Sequence, residues 1–290
     1  MHFLHLDKDF TPFGKSIAYE AFIFNGGEPH IRIIEELHTG AAFLKSNENK
    51  IEVMITTRLS SFNDLGKLLV AADALQRLGV QKMQLFCPYF PGARQDRVAV
   101  KGEPLTVKVY ADIINSIGFD QVIVADPHSD VVAALVENIH VLNNHFFVRE
   151  VLTEKENYVV IAPDSGALKK VYSLARFLGT ADIVECKKVR DVKTGLLSGF
   201  EVFDSDLKGQ PCVIIDDICD GGGTFLGLAK ELKSKNAGDL NLIVTHGIFS
   251  KGLNALKEVF TNIYCTDSFS SLQEEGLAQY KWEDLLDKIS

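Results

Sequence analysis

The chain has 290 residues, 46% of them hydrophobic, and a formal net charge of −9 at neutral pH. That is enough for two ordinary domains with real cores, and no apolar run approaches the length of a membrane span. The negative balance argues against non-specific nucleic-acid binding, so each local cluster of Lys and Arg carries extra information.

The N-terminal stretch from Met1 to Phe10 lacks a basic region followed by an apolar one, so no secretory signal is evident. Five cysteines (Cys87, Cys186, Cys212, Cys219, Cys265) are scattered, odd in number and without a C-x-x-C pair. This argues for a reducing cytosol, against a structural zinc site, and for thiols that serve as buried small hydrophobes. A cytoplasmic location is therefore expected.

In chain order, Leu65, Leu68, Leu69, Ala72, Leu75 and Leu78 follow helical spacing, with Gly79 as a stop. A strand follows at Met83 to Cys87. The next helix spans about Pro104 to Ser116, with Pro104 in its first turn. Strands are expected at Gln121 to Val124 and Tyr158 to Ile161. A helix from about Asp164 to Leu178 precedes strands near Ala181 to Glu185 and Cys212 to Ile215. A helix from Thr224 to Lys235 and a strand at Leu242 to Thr245 close the series. The alternation predicts an α/β fold with largely parallel sheets. The polar segment from Asn143 to Asn157 reads as a domain boundary. Val122-Ile123-Val124-Ala125-Asp126 faintly echoes Val213-Ile214-Ile215-Asp216-Asp217, as two similar domains would.

The richest segment is Val213 to Thr224, VIIDDICDGGGT. An apolar strand runs into two adjacent acids, Asp216 and Asp217, and Asp220 follows. Gly221, Gly222, Gly223 and Thr224 lead into a helical pattern that begins at Phe225. The glycines let successive backbone N–H groups face one concavity, which suits phosphate, and the helix N-terminus favours the same anion. The acids can accept hydrogen bonds from sugar hydroxyls or hold magnesium-bound water. Alone, the acid pair reads equally as a solvated βα turn. Two nucleotide-binding alternatives fail: G-x-G-x-x-G begun at Gly221 meets Leu226, and a P-loop ending in Gly14-Lys15-Ser16 needs glycine where Asp9 stands.

Other segments carry chemistry. Pro88 to Arg97, PYFPGARQDR, follows a strand and sets Arg94, Gln95, Asp96 and Arg97 together; it reads as a phosphate clamp or as a surface loop with an internal Arg–Asp pair. Asp126 to Asp130, DPHSD, places His128 among carboxylates, for a metal, for phosphate or for structure. Asp164 in APDSG suits an N-cap, a role compatible with a functional one. Glu185 to Lys193 packs Lys187, Lys188, Arg190 and Lys193 into one acidic protein, as a solvated hairpin or as a basic loop closing over a polyphosphate.

Taken together and in this order, these motifs resemble the ribose-phosphate pyrophosphokinases, the PRPP synthetases, from about Phe24 to Asp267. FNGGE (Phe24 to Glu28), THGIFS (Thr245 to Ser250) and TDS (Thr266 to Ser268) complete the set. KGEP (Lys101 to Pro104) is closer to archaeal-type members. The resemblance implies two phosphoribosyltransferase-like domains, residues 1–145 and 146–290. It implies that Arg94, Gln95, Asp96 and Arg97 contact ATP, and that Phe24 and Glu28 reach the adenine of ATP bound mainly by a neighbouring subunit, hence a homo-oligomer. His128 and Asp164 would hold magnesium or its water shell. Asp216, Asp217, Asp220, Gly221, Gly222, Gly223 and Thr224 would hold ribose 5-phosphate. Lys188 and Arg190, with His128, would serve catalysis as the anomeric hydroxyl attacks the β-phosphorus and AMP leaves. No general base emerges.

Three positions depart from the family pattern: Pro127 where leucine is usual, Gly26 where Asp or Asn is usual, and Gly221 where the phosphate loop usually has threonine. The loss at Gly221 removes a hydroxyl from the 5-phosphate pocket and suggests room beside it. A larger acceptor such as ADP-ribose is therefore an alternative to ribose 5-phosphate. A non-catalytic regulatory relative and a PRPP-consuming transferase are the others. Retention of His128, Lys188, Arg190 and the loop acids speaks against the first of these, and the N-terminal clamp against the second. No membrane or nucleic-acid partner is expected.

Overall fold

A computed structural model describes residues 1–34, 51–153, 155, 157–179, 182–190 and 197–288, without the side chains of residues 189, 190, 197 and 198. The chain divides into two compact units, Met1–Asn143 and Asn144–Ser290.

The first unit contains β1 (His2–His5), β2 (Tyr19–Ile23), β3 (Pro29–Ile33), β4 (Glu52–Thr56), α1 (Phe62–Arg77), β5 (Lys82–Phe86), α2 (Thr106–Asn115), β6 (Gln121–Ala125), α3 (Asp130–Leu135) and β7 (Ile139–Leu142). Five of these strands form a parallel sheet in the order β1-β4-β5-β6-β7, and β2 and β3 pair as a separate antiparallel hairpin. The predicted stripe on α1 is its buried face: Leu65, Leu68, Ala72 and Leu75 pack against Val53, Ile55, Met83 and Leu85 of the sheet core. The Ser61 side chain caps the helix by accepting the Asp64 N–H, and Gly79 ends it in the left-handed region at φ +82°, where glycine carries no Cβ penalty.

The second unit contains α4 (His145–Leu152), β8 (Val159–Ala162), α5 (Leu168–Leu178), β9 (Ile183–Arg190), β10 (Leu197–Val202), β11 (Cys212–Cys219), α6 (Gly223–Ser234), β12 (Leu240–Gly247), α7 (Asn254–Lys257), β13 (Asn262–Thr266), β14 (Leu277–Tyr280) and α8 (Trp282–Asp287). Its sheet runs β10-β9-β8-β11-β12-β13-β14, parallel except for β10, which returns antiparallel on β9. β8 and β12 are buried along their whole length, the continuous apolar pattern of strands covered on both faces.

Several boundaries differ from the sequence reading. α2 begins at Thr106 with Leu105 as its N-cap residue, so Pro104 lies ahead of the first turn, and β12 spans Leu240–Gly247 rather than Leu242–Thr245. β11 continues through Asp216 and Asp217 to Cys219, because β12 keeps pairing with it as far as Cys219↔Gly247. The two acids are thus strand residues, not turn residues. α5 starts at Leu168 rather than Asp164, since the Asp164 Oδ1 accepts the N–H groups of Gly166 and Ala167 and holds a turn ahead of the helix. β9 runs past Glu185 to Arg190 because β10 pairs with it; Ala181 lies outside the described residues. The division between the units, at Asn143/Asn144, falls in the expected polar segment; the rest of that segment contains α4, which buries Phe147, Val148, Val151 and Leu152.

Candidate active site

In the first unit, PYFPGARQDR and DPHSD come together through topology. β5 and β6 are parallel neighbours, and the Ala125 N–H donates to the Pro88 carbonyl at 2.9 Å just past their ends. Phe90 and Ala93 are buried and anchor the first loop, while Arg94, Gln95 and Arg97 are exposed. Arg97 holds Asp96 with two hydrogen bonds, Nε to Oδ1 at 2.8 Å and a second guanidinium nitrogen to Oδ2 at 3.3 Å. That bond is the main reason the Asp96 carboxyl sits below its ordinary value, and the His128 charge pulls in the same direction. The internal Arg–Asp pair expected of a surface loop therefore exists, on a loop where Arg94 and Gln95 are exposed. His128 itself is exposed, one residue from Pro127, and Asp126 is buried with φ +37°.

Phe24 and Glu28 flank the tip of the β2–β3 hairpin, where the Gly27 N–H donates to the Phe24 carbonyl at 2.8 Å and the Phe24 N–H to that of Glu28 at 2.9 Å. Phe24 is 52% exposed, and Glu28 is exposed too. A cleft of about 780 Å³ beside the hairpin is lined by Asp7, Lys8, Tyr19, Phe22, Asp64 and Lys67, among others, and holds none of the expected site residues.

In the second unit, the chain runs from β8 outward to β9, then returns to β11 and continues to β12 on the other side. The reversal between β8 and β11 is where open α/β sheets bind ligands, beyond the carboxyl ends of the strands. Asp164, Lys188, Asp216 and Asp217 all sit there. The Lys188 ammonium meets the Asp164 Oδ2 at 2.5 Å, both side chains about one quarter exposed (26% and 24%). Burial alone would push the Asp164 carboxyl up. The Lys188 ammonium and the N–H groups of Ala167 and Gly166 override it and hold Asp164 below the ordinary carboxylate value.

Asp216 behaves in the opposite way. Burial of its carboxyl first, then the charge of Asp217, push it well above the usual carboxylate range, and Asp164 adds to the push. The Asp217 N–H donates to the Asp216 Oδ1 at 2.9 Å, and Asp217 is 6% exposed. Two acids on consecutive strand residues thus share one crowded spot in which full ionisation is costly. A cation that compensates the charge, or a sugar diol that donates hydrogen bonds to the carboxylates, relieves that cost.

The phosphate loop follows directly. Gly222 is in the left-handed region at φ +74°, and a β-carbon there would meet the Leu256 side chain at 3.2 Å. Only glycine combines that dihedral with that fit. A β-carbon on Gly223, the first residue of α6, would meet nothing within 4 Å. The adjacent loop after β12 is tied down by backbone bonds: the N–H groups of Ile248 and Phe249 donate to the Cys219 carbonyl (2.9 and 3.1 Å) and that of Ser250 to Asp220 (3.2 Å). Below it, His246, Thr266 and Ser268 form a buried polar network around the Thr245 carbonyl. The room expected beside Gly221 is not empty. A β-carbon on Gly221 would lie 3.4, 3.5 and 3.8 Å from Cε, Cδ and Cγ of Lys251. Lys251 directly follows the THGIFS segment, and that adjacency is the signal the sequence carries for it.

Arg190 closes β9, but its side chain lies outside the described part, as does Lys193. All five cysteines are free and buried. No described helix is long and apolar enough to cross a membrane.

Residues 20–118 match the family model for the N-terminal domain of ribose phosphate pyrophosphokinase, and residues 135–278 match that for the phosphoribosyl transferase domain. The ribose-phosphate pyrophosphokinase of Ureaplasma parvum is 31% identical over 242 residues, 78% of this chain and 71% of the relative. That of Vibrio parahaemolyticus is 30% identical over 262 residues, 87% and 78% of the two chains. A crystal structure of phosphoribosylpyrophosphate synthetase from Mycobacterium smegmatis shares the fold with a TM-score of 0.80, at 24% identity, over 95% of this chain and 89% of that one. With identity and coverage of that order, two phosphoribosyltransferase-type domains, and motifs that meet at the strand ends, the chain is an enzyme of the ribose-phosphate pyrophosphokinase family.

Proposed function

We propose that the enzyme transfers the β,γ-pyrophosphoryl group of ATP to the anomeric hydroxyl of ribose 5-phosphate, giving PRPP and AMP. The observation that carries this reading is the Lys188–Asp164 pair set against the Asp216–Asp217 pair at the reversal between β8 and β11. A cation beside a sugar-binding acid pair and an N–H-lined loop is what an acceptor site for this transfer needs.

In this reading the loop from Asp220 to Thr224 takes the 5-phosphate, and Asp216 and Asp217 accept hydrogen bonds from the ribose hydroxyls. The anomeric oxygen attacks the β-phosphorus, the bond from that phosphorus to the bridging oxygen breaks, and AMP leaves with that oxygen. The hydroxyl proton passes to solvent. Lys188 and Arg190 neutralise charge that grows on the transferred group. Arg94, Gln95, Asp96 and Arg97 contact ATP, the two arginines through its phosphates, so ATP would release Arg97 from Asp96; His128 would hold magnesium or its water shell. Phe24 and Glu28 reach adenine from a neighbouring subunit, which makes the enzyme a homo-oligomer.

Magnesium fits the donor set in one way only. Among the described residues no group of three or more His, Cys, Asp or Glu stands close enough to enclose a metal ion. Hard oxygen donors on Asp164 and the loop acids, with substrate phosphates completing the shell, are nevertheless how this ion is commonly held. When bound it would supply charge neutralisation on the pyrophosphoryl oxygens. ADP-ribose is the alternative acceptor: the nearest atoms to a β-carbon at Gly221 belong to the exposed Lys251 stem, at ordinary contact distance, and a larger 5-substituent would have to displace it. An assay for AMP with each acceptor tests the choice; at least a tenfold higher kcat/KM with ADP-ribose would reverse it.

A further inference from the structure

We propose that Lys251 is a phosphate-binding, specificity-determining residue of the acceptor site, and that Gly221 is the residue that lets it lie there. The ligand group is the phosphate on C5 of the ribose acceptor. The inference rests on the acceptor-loop reading above and adds a residue to it.

Three observations converge. The direction in which any side chain at Gly221 would project is filled by the Lys251 stem from Cγ to Cε, all within ordinary contact distance. The backbone of Gly221 is not in the left-handed region, so its dihedrals do not require glycine; a β-carbon would sit in ordinary contact with the Lys251 stem, and a longer side chain would have to displace that stem. The ammonium has no ion-pair partner among the described residues, and the side chain is exposed. A cation laid along a loop of acids and glycines without a carboxylate to hold it is available to an incoming anion.

The local chain is built to present it. Phe249 is held at φ +47°, an uncommon conformation for an aromatic residue. Its ring lies so close over Gly247 that a β-carbon there would come within 2.3 Å of it. With the backbone bonds from Ile248, Phe249 and Ser250 to Cys219 and Asp220, this fixes where residue 251 leaves the loop. A threonine at Gly221 would offer phosphate one hydroxyl. Glycine at that position lets an ammonium take its place, and a charge-assisted bond is roughly twice as strong as a neutral one.

The test compares wild type with K251M, K251A, G221T and G221T/K251A, using ribose 5-phosphate and ADP-ribose as acceptors. K251M keeps the stem and removes the charge. It is expected to raise the acceptor KM at least tenfold, with kcat within threefold and the KM for ATP unchanged. The acceptor that shows the loss identifies the source of the phosphate. G221T is expected to raise the acceptor KM while Lys251 is present and to add nothing in the K251A background. Calorimetric binding of each acceptor to wild type and K251M reads the same loss without turnover. If no variant releases AMP yet K251M still loses acceptor binding, the transfer reaction is wrong and the Lys251 assignment stands. Unchanged acceptor KM and affinity in K251M, or an equal G221T penalty with and without Lys251, overturns the assignment.

Discussion

Lys188 is the most informative residue to change. Its ammonium sits 2.5 Å from Asp164 with both groups about three quarters buried, so K188M removes two things at once. Removing one partner of a charged hydrogen bond costs about 1.5–3 kcal/mol of stability. Loss of a fixed donor aimed at developing charge costs about 2.7–4 kcal/mol of transition-state stabilisation, which is roughly 10² to 10³ in kcat. The two effects separate by pH. Asp164 is held below its ordinary value by Lys188. Its folded pKa is therefore below the unfolded one, and the pair's contribution is full above the ordinary carboxylate value of about 3.9 and lost as pH falls through the folded value. The difference in melting temperature between wild type and K188M should be several degrees at pH 7 and shrink toward pH 3. Steady-state AMP release at pH 7.5 should fall at least a hundredfold in kcat, and K188R should recover part of it. A K188M enzyme with kcat within threefold of wild type would refute the catalytic role, whatever its melting temperature.

Asp216 predicts a trade between stability and binding. Burial and Asp217 push its carboxyl well up, so ionising it destabilises the unliganded fold as pH rises from the ordinary carboxylate value through the raised one. D216N keeps an oxygen for the Asp217 N–H, so it should gain about 1 kcal/mol of stability at pH 8 and less at pH 5. It should also raise the acceptor KM at least tenfold; an Asn variant less stable at pH 8 would contradict the crowding argument. The thiols give a simpler test, because burial pushes Cys87, Cys186, Cys219 and Cys265 up to about 12 and Cys212 to about 11. A thiol reagent at pH 8 should modify less than one group per native chain and all five after denaturation; prompt reaction of several native thiols would mean that the second-unit core opens readily.

Periodicity was enough to find α1, α2, α6 and the central strands of both sheets, because each buries a continuous apolar pattern. The echo between Val122–Asp126 and Val213–Asp217 holds only in part: β6 and β11 are both interior parallel strands, but Asp126 lies past the end of β6 whereas Asp216 and Asp217 lie within β11. Periodicity could not reveal that Asp216 and Asp217 remain in β11, since their strand state depends on β12, more than twenty residues away in sequence. The hairpin β2–β3 is hard to read from sequence because β2 is mostly exposed and does not alternate, while β3 alternates over only five residues. The site motifs were legible as chemistry, but not as neighbours. Lys188 on Asp164 and His128 beside Asp96 are products of strand order. The same holds for Lys251 over Gly221: a missing side chain at one position is read as space until the residue that fills it is seen.

Pyrophosphoryl transfer to a ribose phosphate is tested most directly by product stoichiometry. Purified enzyme with ATP, magnesium and ribose 5-phosphate should form AMP and PRPP in equal amounts, with no ADP and no AMP when the acceptor is omitted. ADP as the nucleotide product, or AMP released at the same rate without ribose 5-phosphate, would contradict it.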